Sequence, residues 1–540
     1  MAKTTQSPDI VLLILDTHRV DRLSCYGYER RTTPYIDRFA SGATLFERAI
    51  SPAQWTVPAH ASLFTGEYPT THLTNQIYNT LSDSFTTLAD SLRNGGYHTI
   101  GLCNNPLLGV VDNHLDRGFD SFHNYGGAAP NPPNISQARP RLEGQLFEAY
   151  NRFMRKLLNR GANVFAHNNF LLKLAFNPVL SFIWLRAANF KGDTLRSLRD
   201  TVGYLRAYHN SEDRKPIFTF INLMGTHLPY WPPKRFLRRF APYFRKDHDL
   251  QDFMRFYNTQ TYNWMLPLTE PFTEDQNRIL QDLYDAESAY QDHLLRHLFK
   301  YLNKPQIRDN TMVIVTADHG EGLNHHDFMG HSLVAYDDLV HVPLMVRYPR
   351  LYPQGARIQS RVSTRRVFHS ILEASGVPID SAINSGKGNG NGAKRQAPID
   401  VEGLSLARTV EGKNPDGDYI FTEAYTPHTL LTQMEQHSDV ETIERFRCRQ
   451  MRRAAYRDDY KLIAVGDQPD ELFNTTTDPG ELVNVIKQEP DRADDLNTAL
   501  EKFVQNAERR RPENWEDSET LNLDDDKELT ERLRALGYVD

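Results

Sequence analysis

Two short apolar runs set the pattern of the chain. Asp9-Ile-Val-Leu-Leu-Ile-Leu15 and Thr311-Met-Val-Ile-Val-Thr316 are continuous rather than alternating and rich in branched residues. That pattern predicts strands covered on both faces, as in a parallel sheet. Both runs lead into carboxylates, Asp16 and Asp318, the second followed by His319. Tyr97–Cys103, Lys215–Asn222 and Leu339–Arg347 read as further strands. Leu81, Phe85, Leu88 and Leu92 recur at helical spacing before Gly95-Gly96, which predicts a helix closed by glycine. A long helix is expected from about Glu274 to Leu302, and another over residues 361–377, ending at Gly376. Tyr419–Glu423 and Tyr460–Val465 read as antiparallel strands. Strands alternating with helices make this an α/β chain.

Trp55-Thr56-Val57-Pro58-Ala59-His60-Ala61-Ser62-Leu63-Phe64-Thr65-Gly66 reads as a loop feeding a helix, with Thr56 at the N-cap and Pro58 in the first turn. A hydroxyl there sits at the positive end of a helix dipole, where an anion binds well. It is a candidate nucleophile if something lowers its pKa; on local sequence alone, capping is the better reading. The two strand-end carboxylates change that balance. In open α/β sheets ligands gather at the carboxyl ends of strands. Asp16, Asp318 and His319 there suit a divalent ion that would hold the Thr56 oxygen and polarise a substrate.

Composition narrows the partners. A net charge of −7 over 540 residues argues against general nucleic-acid binding. Cys25, Cys103 and Cys448 are widely spaced and show no disulfide framework, which fits a reduced compartment. No leader pattern or run of ~20 apolar residues is present, so a cytoplasmic location is expected. Residues 126–210 differ from the rest: between Gln137 and Asp200 eleven Lys or Arg face four Asp or Glu, among crowded aromatics. This reads as a helical insertion, a lid packed on its own domain, with a dimer surface or membrane-surface contact through 137–200 as the weaker readings. The Gly/Asn-rich stretch 379–400 is an exposed connection between residues 1–378 and 401–540. Residues 512–531 hold nine acids against one lysine and read as a solvated stretch, and Leu533–Tyr538 as a final helix.

In order along the chain, Leu15-Asp16-Thr17-His18-Arg19, Thr56 to Gly66, Arg117-Gly118-Phe119-Asp120, Thr226-His227-Leu228-Pro229-Tyr230, Asp318-His319-Gly320-Glu321 and Leu472-Phe473-Asn474 follow one another as in a known family. The chain resembles the sulfatase branch of the alkaline phosphatase superfamily. The resemblance implies a three-layer sandwich with a mixed, mostly parallel sheet, plus a smaller C-terminal α+β subdomain with a short antiparallel sheet. It also implies a metal-dependent ester hydrolase acting on an anionic substrate. Carried over by position, it implies one divalent ion on Asp16, Thr56, Asp318 and His319, with Mn²⁺ favoured over Zn²⁺, Ca²⁺ or Mg²⁺. Asn104, His227 and His331 would contact substrate, and Thr56, His60, His227 and His331 would carry the chemistry.

The chain departs from the family at named positions. Family sulfatases carry Cys or Ser, matured to formylglycine, where this chain has Thr56, so no formylglycine is expected. The family arginine is His60, the second aspartate of the usual pair is Thr17, and the sulfate-contacting lysine is His331. Threonine nucleophiles belong to phosphate-handling members of the superfamily, which favours a phosphate or sulfate ester hydrolase with Thr56 attacking. The alternatives are a sulfuric ester hydrolase using unmodified threonine, a phospho-group transferase, or a silent binding protein. A homo-oligomer is compatible with all of them.

Overall fold

The structure is a computed structural model and describes residues 7–126, 191–378 and 401–512, apart from positions 213, 260, 265, 269, 416 and 439. Most of the proposed insertion, the Gly/Asn-rich connection, the acidic stretch from 513 onward and the Leu533–Tyr538 helix lie outside the described residues.

The strands are β1 (Asp9–Leu15), β2 (Thr44–Ile50), β3 (His98–Cys103), β4 (Ser121–Asn124), β5 (Ile217–Leu223), β6 (Thr311–Thr316), β7 (Gly322–Leu323), β8 (Met329–Gly330), β9 (His341–Arg347) and β10 (Arg357–Ser363). A C-terminal set follows: β11 (Ile420–Ala424), β12 (Arg452–Arg457), β13 (Tyr460–Val465) and β14 (Gln468–Asn474). Eight strands form one sheet in the order β10-β2-β9-β6-β1-β5-β3-β4. It is mostly parallel; only β9 runs against its neighbours β2 and β6. β1 lies at the centre, with Ile14 opposite Asn222 of β5 on one side and Thr316 of β6 on the other.

The continuous apolar runs are explained by layers on both faces. Ile10, Leu12 and Ile14 pack with Phe220, Ile314 and the helices Thr56–Thr65 and Arg366–Ser375. The alternate residues Val11, Leu13 and Leu15 pack with Val313, Val315 and the helix Glu274–Leu302. Side chains of a strand point alternately to opposite faces, so both registers must be apolar. The long helix has the expected bounds, and a Thr273–Gln276 capping box starts it.

Several boundaries depart from expectation. Leu81 and Phe85 are buried but not helical; the helix is Leu88–Asn94, started by a Thr87–Asp90 capping box. Residues 337–340 form a helical turn before β9. The first residues of 361–377 belong to strand β10, and the helix there is Arg366–Ser375, closed by Gly376 at φ 68°. β11–β14 form a separate antiparallel sheet in that order, with the helix Pro490–Arg509 packed on it through Leu496 and Leu500.

Candidate active site

The sheet brings Asp16 and Asp318 together because β1 and β6 are hydrogen-bonded neighbours in register. The helix carrying Thr56 starts at Thr56 itself, with Trp55 in the extended cap position and no side-chain cap. The expectation that Thr56 is the N-cap is therefore corrected by one residue. As the first helical residue it leaves its hydroxyl uncommitted to capping, and Oγ1 turns to Asn105 and His319.

One ligand atom each from Asp16, Asp318 and His319 lies within 4.8 Å of the others, and all three residues are buried. Asp16 Oδ2 accepts from the amides of Asn105 at 2.8 Å and Asn222 at 3.2 Å. Asp318 Oδ1 accepts from the backbone N–H of His319 at 3.0 Å and Thr17 at 3.3 Å. The other oxygens, Asp16 Oδ1 and Asp318 Oδ2, have no hydrogen-bond partner among the described residues. His319 Nδ1 donates to the Gly320 carbonyl at 2.9 Å, which leaves the lone pair on Nε2. Two unpartnered carboxylate oxygens and one oriented imidazole lone pair, buried together, fit a divalent cation. Burial, then the opposing carboxylate, pushes Asp16 up to about 7; burial likewise raises Asp318 to about 7. A cation among them would reverse that.

Thr56 Oγ1 stands 3.4 Å from His319 Nε2 and accepts from Asn105 Nδ2 at 3.2 Å. With the amide on one side, the Thr56 O–H points to the imidazole.

Thr17, where the family has a second aspartate, adopts φ 58°, a rare conformation for a β-branched residue. It turns the Thr17 N–H to Asp318 and sends its hydroxyl back to the Asp16 carbonyl at 2.7 Å. The Tyr284 hydroxyl holds this turn by donating to the Thr17 carbonyl at 2.7 Å and accepting the Arg19 N–H at 2.8 Å.

His60 lies behind Thr56. Its Nδ1 donates to the Thr56 carbonyl at 2.9 Å, and Asn222 Nδ2 meets its Nε2 at 3.4 Å. Burial pushes it down to about 3, so it is a neutral support between helix and sheet. The structure does not bring Asn104 to the carboxylates: its amide donates to the Lys191 carbonyl at 3.1 Å and lies beside Thr194 Oγ1 at 3.3 Å. The next residue, Asn105, occupies that place, because the chain turns at the end of β3 and Asn105 N–H meets Cys103 Sγ.

His227 and His331 do come together. Their ring centroids are 4.9 Å apart, and His331 lies 4.5 Å from the ring of His319. His227 Nδ1 donates to the Leu228 carbonyl at 2.7 Å. His331 Nδ1 faces Glu321 Oε1 at 2.8 Å. The small β7–β8 hairpin sets this pair: Gly322 opposes Gly330, so Glu321 and His331 flank the same rung. Burial raises Glu321 to about 8 and lowers His331 to about 4, so the pair keeps one shared proton at neutral pH. Wherever that proton sits, His331 Nε2 keeps its own N–H. Asn105, Asn222 and Glu321 were not assigned roles from the sequence; polar residues at the ends of β3 and β5 are the signal for the first two.

Sheet order, strand-end carboxylates and the hydroxyl at a helix start define an ester hydrolase of α/β type. The chain belongs to the sulfatase family, whose pattern it matches over residues 8–377. It is 23% identical to the uncharacterized sulfatase YidJ of Escherichia coli (strain K12) over 484 residues, 89% of this chain and 83% of that one. Its fold is similar to that of a phosphonate monoester hydrolase of Agrobacterium radiobacter, with TM-score 0.61, 20% identity and coverage of 93% and 96% of the two chains. It is equally similar, at TM-score 0.61 and 15% identity, to a structure solved with its substrate D-glucosamine-2-N,6-O-disulfate, covering 93% of this chain and 99% of that one.

Proposed function

We propose that the protein hydrolyses sulfate or phosphate esters with Thr56 as the nucleophile and without formylglycine. The observation that carries this is the Thr56 hydroxyl, held between Asn105 at 3.2 Å and His319 at 3.4 Å, beside two unpartnered carboxylate oxygens. Asp16, Asp318 and His319, with the Thr56 oxygen, would hold one divalent ion, Mn²⁺ by preference given the imidazole. That ion would supply positive charge, which favours loss of the Thr56 proton to solvent and balances the charge on the nonbridging oxygens.

Asn105 orients the Thr56 oxygen for attack on sulfur or phosphorus. The bond to the leaving oxygen breaks as the Thr56 ester forms, and His331 Nε2–H donates a proton to that oxygen. His227, neutral through burial and with its one N–H given to the Leu228 carbonyl, presents the Nε2 lone pair, which can accept an O–H of the substrate's organic part. Water then attacks the same atom and gives one proton back to His331 Nε2, the bond to the Thr56 oxygen breaks to free the inorganic anion, and the Thr56 oxygen takes a proton from solvent. Splitting one displacement into two is the general benefit of a covalent route. A sulfate ester is supported by the family and by the disulfated sugar bound by one structural neighbour. A phosphoester is supported by Thr56 and by the phosphonate monoester hydrolase of like fold.

The test is release of product from an aryl sulfate, an aryl phosphate and an aryl phosphodiester by Mn²⁺-loaded protein. Thr56→Ser is expected to keep turnover and Thr56→Val to lose it with unchanged fold and metal content. Full activity in Thr56→Val would exclude the nucleophile.

A further inference from the structure

Two helices pack beside the helix Glu274–Leu302 and, with it, bring one sign of charge together. The helix itself presents His293, Arg296, His297 and Lys300 along one stripe. Arg38 comes from the helix Pro34–Ala40, and Arg235 and Arg239 from the helix Lys234–Phe240. Arg38, Arg235, Arg239 and Lys300 are exposed and Arg296 is half-buried. Among the described residues none of these five cations forms an ion pair with a carboxylate. Arg239 donates to the Arg31 carbonyl at 2.6 Å, and Arg296 touches His297 at 3.5 Å.

They line two adjoining grooves that share Tyr35. One, of about 370 Å³, is walled by Arg235, Arg239 and His293. The other, of about 520 Å³, is walled by Arg38, Arg296, His297 and Lys300. The one acid among the groove-lining residues, Asp292, faces Arg239 but is committed to backbone: its carboxylate accepts the N–H groups of Tyr35 at 3.0 Å and Ile36 at 2.8 Å. Burial and the surrounding cations push His293 and His297 below the usual histidine range. Concentrating like charge this way in a chain of net charge −7 is unfavourable unless something negative relieves it.

We infer that the paired grooves are an accessory site for a sulfated glycan chain. The inference rests on the sulfate-ester reading of the active site. Half-esters of sulfate keep their charge and recur along a polymer, and guanidinium groups take them through paired N–H donors. The stripe from His293 to Lys300 is about 10 Å long at 1.5 Å per helical residue, a span of a few sugar units. Tyr284, whose hydroxyl meets Thr17 at the active site, is on the same helix. From there to the stripe is about 14–24 Å along the axis. A small ester cannot bridge that distance, but a polymer anchored in the grooves can present another segment to Thr56.

Two other polyanions fit less well. Single-stranded nucleic acid needs open aromatic faces. Here Arg38 lies 5.8 Å over the Tyr35 ring, His293 meets its edge at 6.4 Å, and Phe236 is buried. An anionic membrane needs exposed apolar side chains among the cations. The large exposed ones among the described residues, such as Trp231 and Phe256, line neither groove.

The test is fluorescence anisotropy of the full chain with a labelled heparin hexasaccharide, run beside its desulfated form, a single-stranded oligonucleotide and phosphatidylserine vesicles. Wild-type protein is expected to bind the sulfated probe alone. The double variants Arg235→Glu/Arg239→Glu and Arg296→Glu/Lys300→Glu, made separately, are each expected to weaken it roughly tenfold or more. Their turnover of a small aryl ester should stay unchanged. Absence of binding, unchanged binding in both variants, or equal binding of the oligonucleotide or vesicles would overturn the proposal. Hexasaccharide binding without any release of sulfate would leave the grooves standing and overturn the active-site reading alone.

Discussion

Asn105 ties the candidate nucleophile to the carboxylate pair: one amide nitrogen stands 3.2 Å from Thr56 Oγ1 and 2.8 Å from Asp16 Oδ2. No other described side chain bridges the two residues in this way. Asn105→Ala is therefore expected to lower kcat and metal affinity together, each about 10–100-fold, as loss of a group that orients metal ligands does. Steady-state kinetics and metal analysis of the purified variant check this; a change in KM alone would contradict it.

Glu321 Oε1 stands 2.8 Å from Nδ1 of His331, the proposed proton donor. Glu321→Gln can still hydrogen-bond His331 Nδ1, whereas Glu321→Ala leaves it unheld. The expected order of kcat is wild type, then Gln, then Ala, with the gap widening as the leaving group becomes more basic. A series of aryl esters with leaving groups of different pKa reads this directly. Equal losses across the series would mean that Glu321 is only structural.

In metal-free protein the carboxylate pair should stabilise the fold less as pH rises. Asp16 and Asp318 are both pushed up to about 7, above an unfolded value near 3.8. A carboxyl raised in the folded state favours folding at low pH, where it is protonated in both states, and loses that advantage as pH climbs through about 4 to about 7. Its ionisation above that range costs about 4 kcal/mol for one such group, and the two titrate as a pair. Buried histidines such as His60 and His331, held below their ordinary value, contribute in the opposite direction, so the effect is read as a difference between wild type and Asp16→Asn/Asp318→Asn in thermal melts with chelator. The double variant should gain Tm over wild type at pH 8 relative to pH 5, and Mn²⁺ should raise wild-type Tm more at pH 8 than at pH 5. The same Tm difference at both pH values would show that neither carboxyl is perturbed.

Lys461 is fully buried, with Nζ 2.8 Å from Asp337 Oδ1 and 2.6 Å from Glu481 Oε1. It joins β13 of the C-terminal sheet to the turn 337–340, whose Asp338 holds Arg19 at 2.6 Å. Removing one member of a buried ion cluster leaves the others uncompensated. Lys461→Ala should cost about 3–5 kcal/mol in urea unfolding.

What the sequence disclosed follows from how each residue is constrained. β1 and β6 were legible because strands covered on both faces admit only apolar residues, and Asp16 and Asp318 break the run where the chain leaves the sheet. The Thr56 helix was legible to within one residue, since Thr, Val and Pro fit a helix start at either position. Asn104 and Asn105 were not separable: identical side chains at a turn carry no periodicity to say which faces inward. The spacing of Leu81 and Phe85 imitates a helix because burial, not helicity, selected them. Glu321 meets His331 only through a two-residue ladder, which is too short to leave a pattern.

The backbone of Thr17 meets the carboxylate of Asp318 across 301 positions of sequence. At a synthesis rate of about 5–20 residues per second, β1 waits roughly 15–60 s for β6 to be made. During that time the strand destined for the middle of the sheet lacks β6 throughout, and β5 as well until residue 223 is made, and its apolar faces are open to wrong partners. A nascent chain cut short before β6 therefore carries Thr56 and Asp16 but neither Asp318 nor His319.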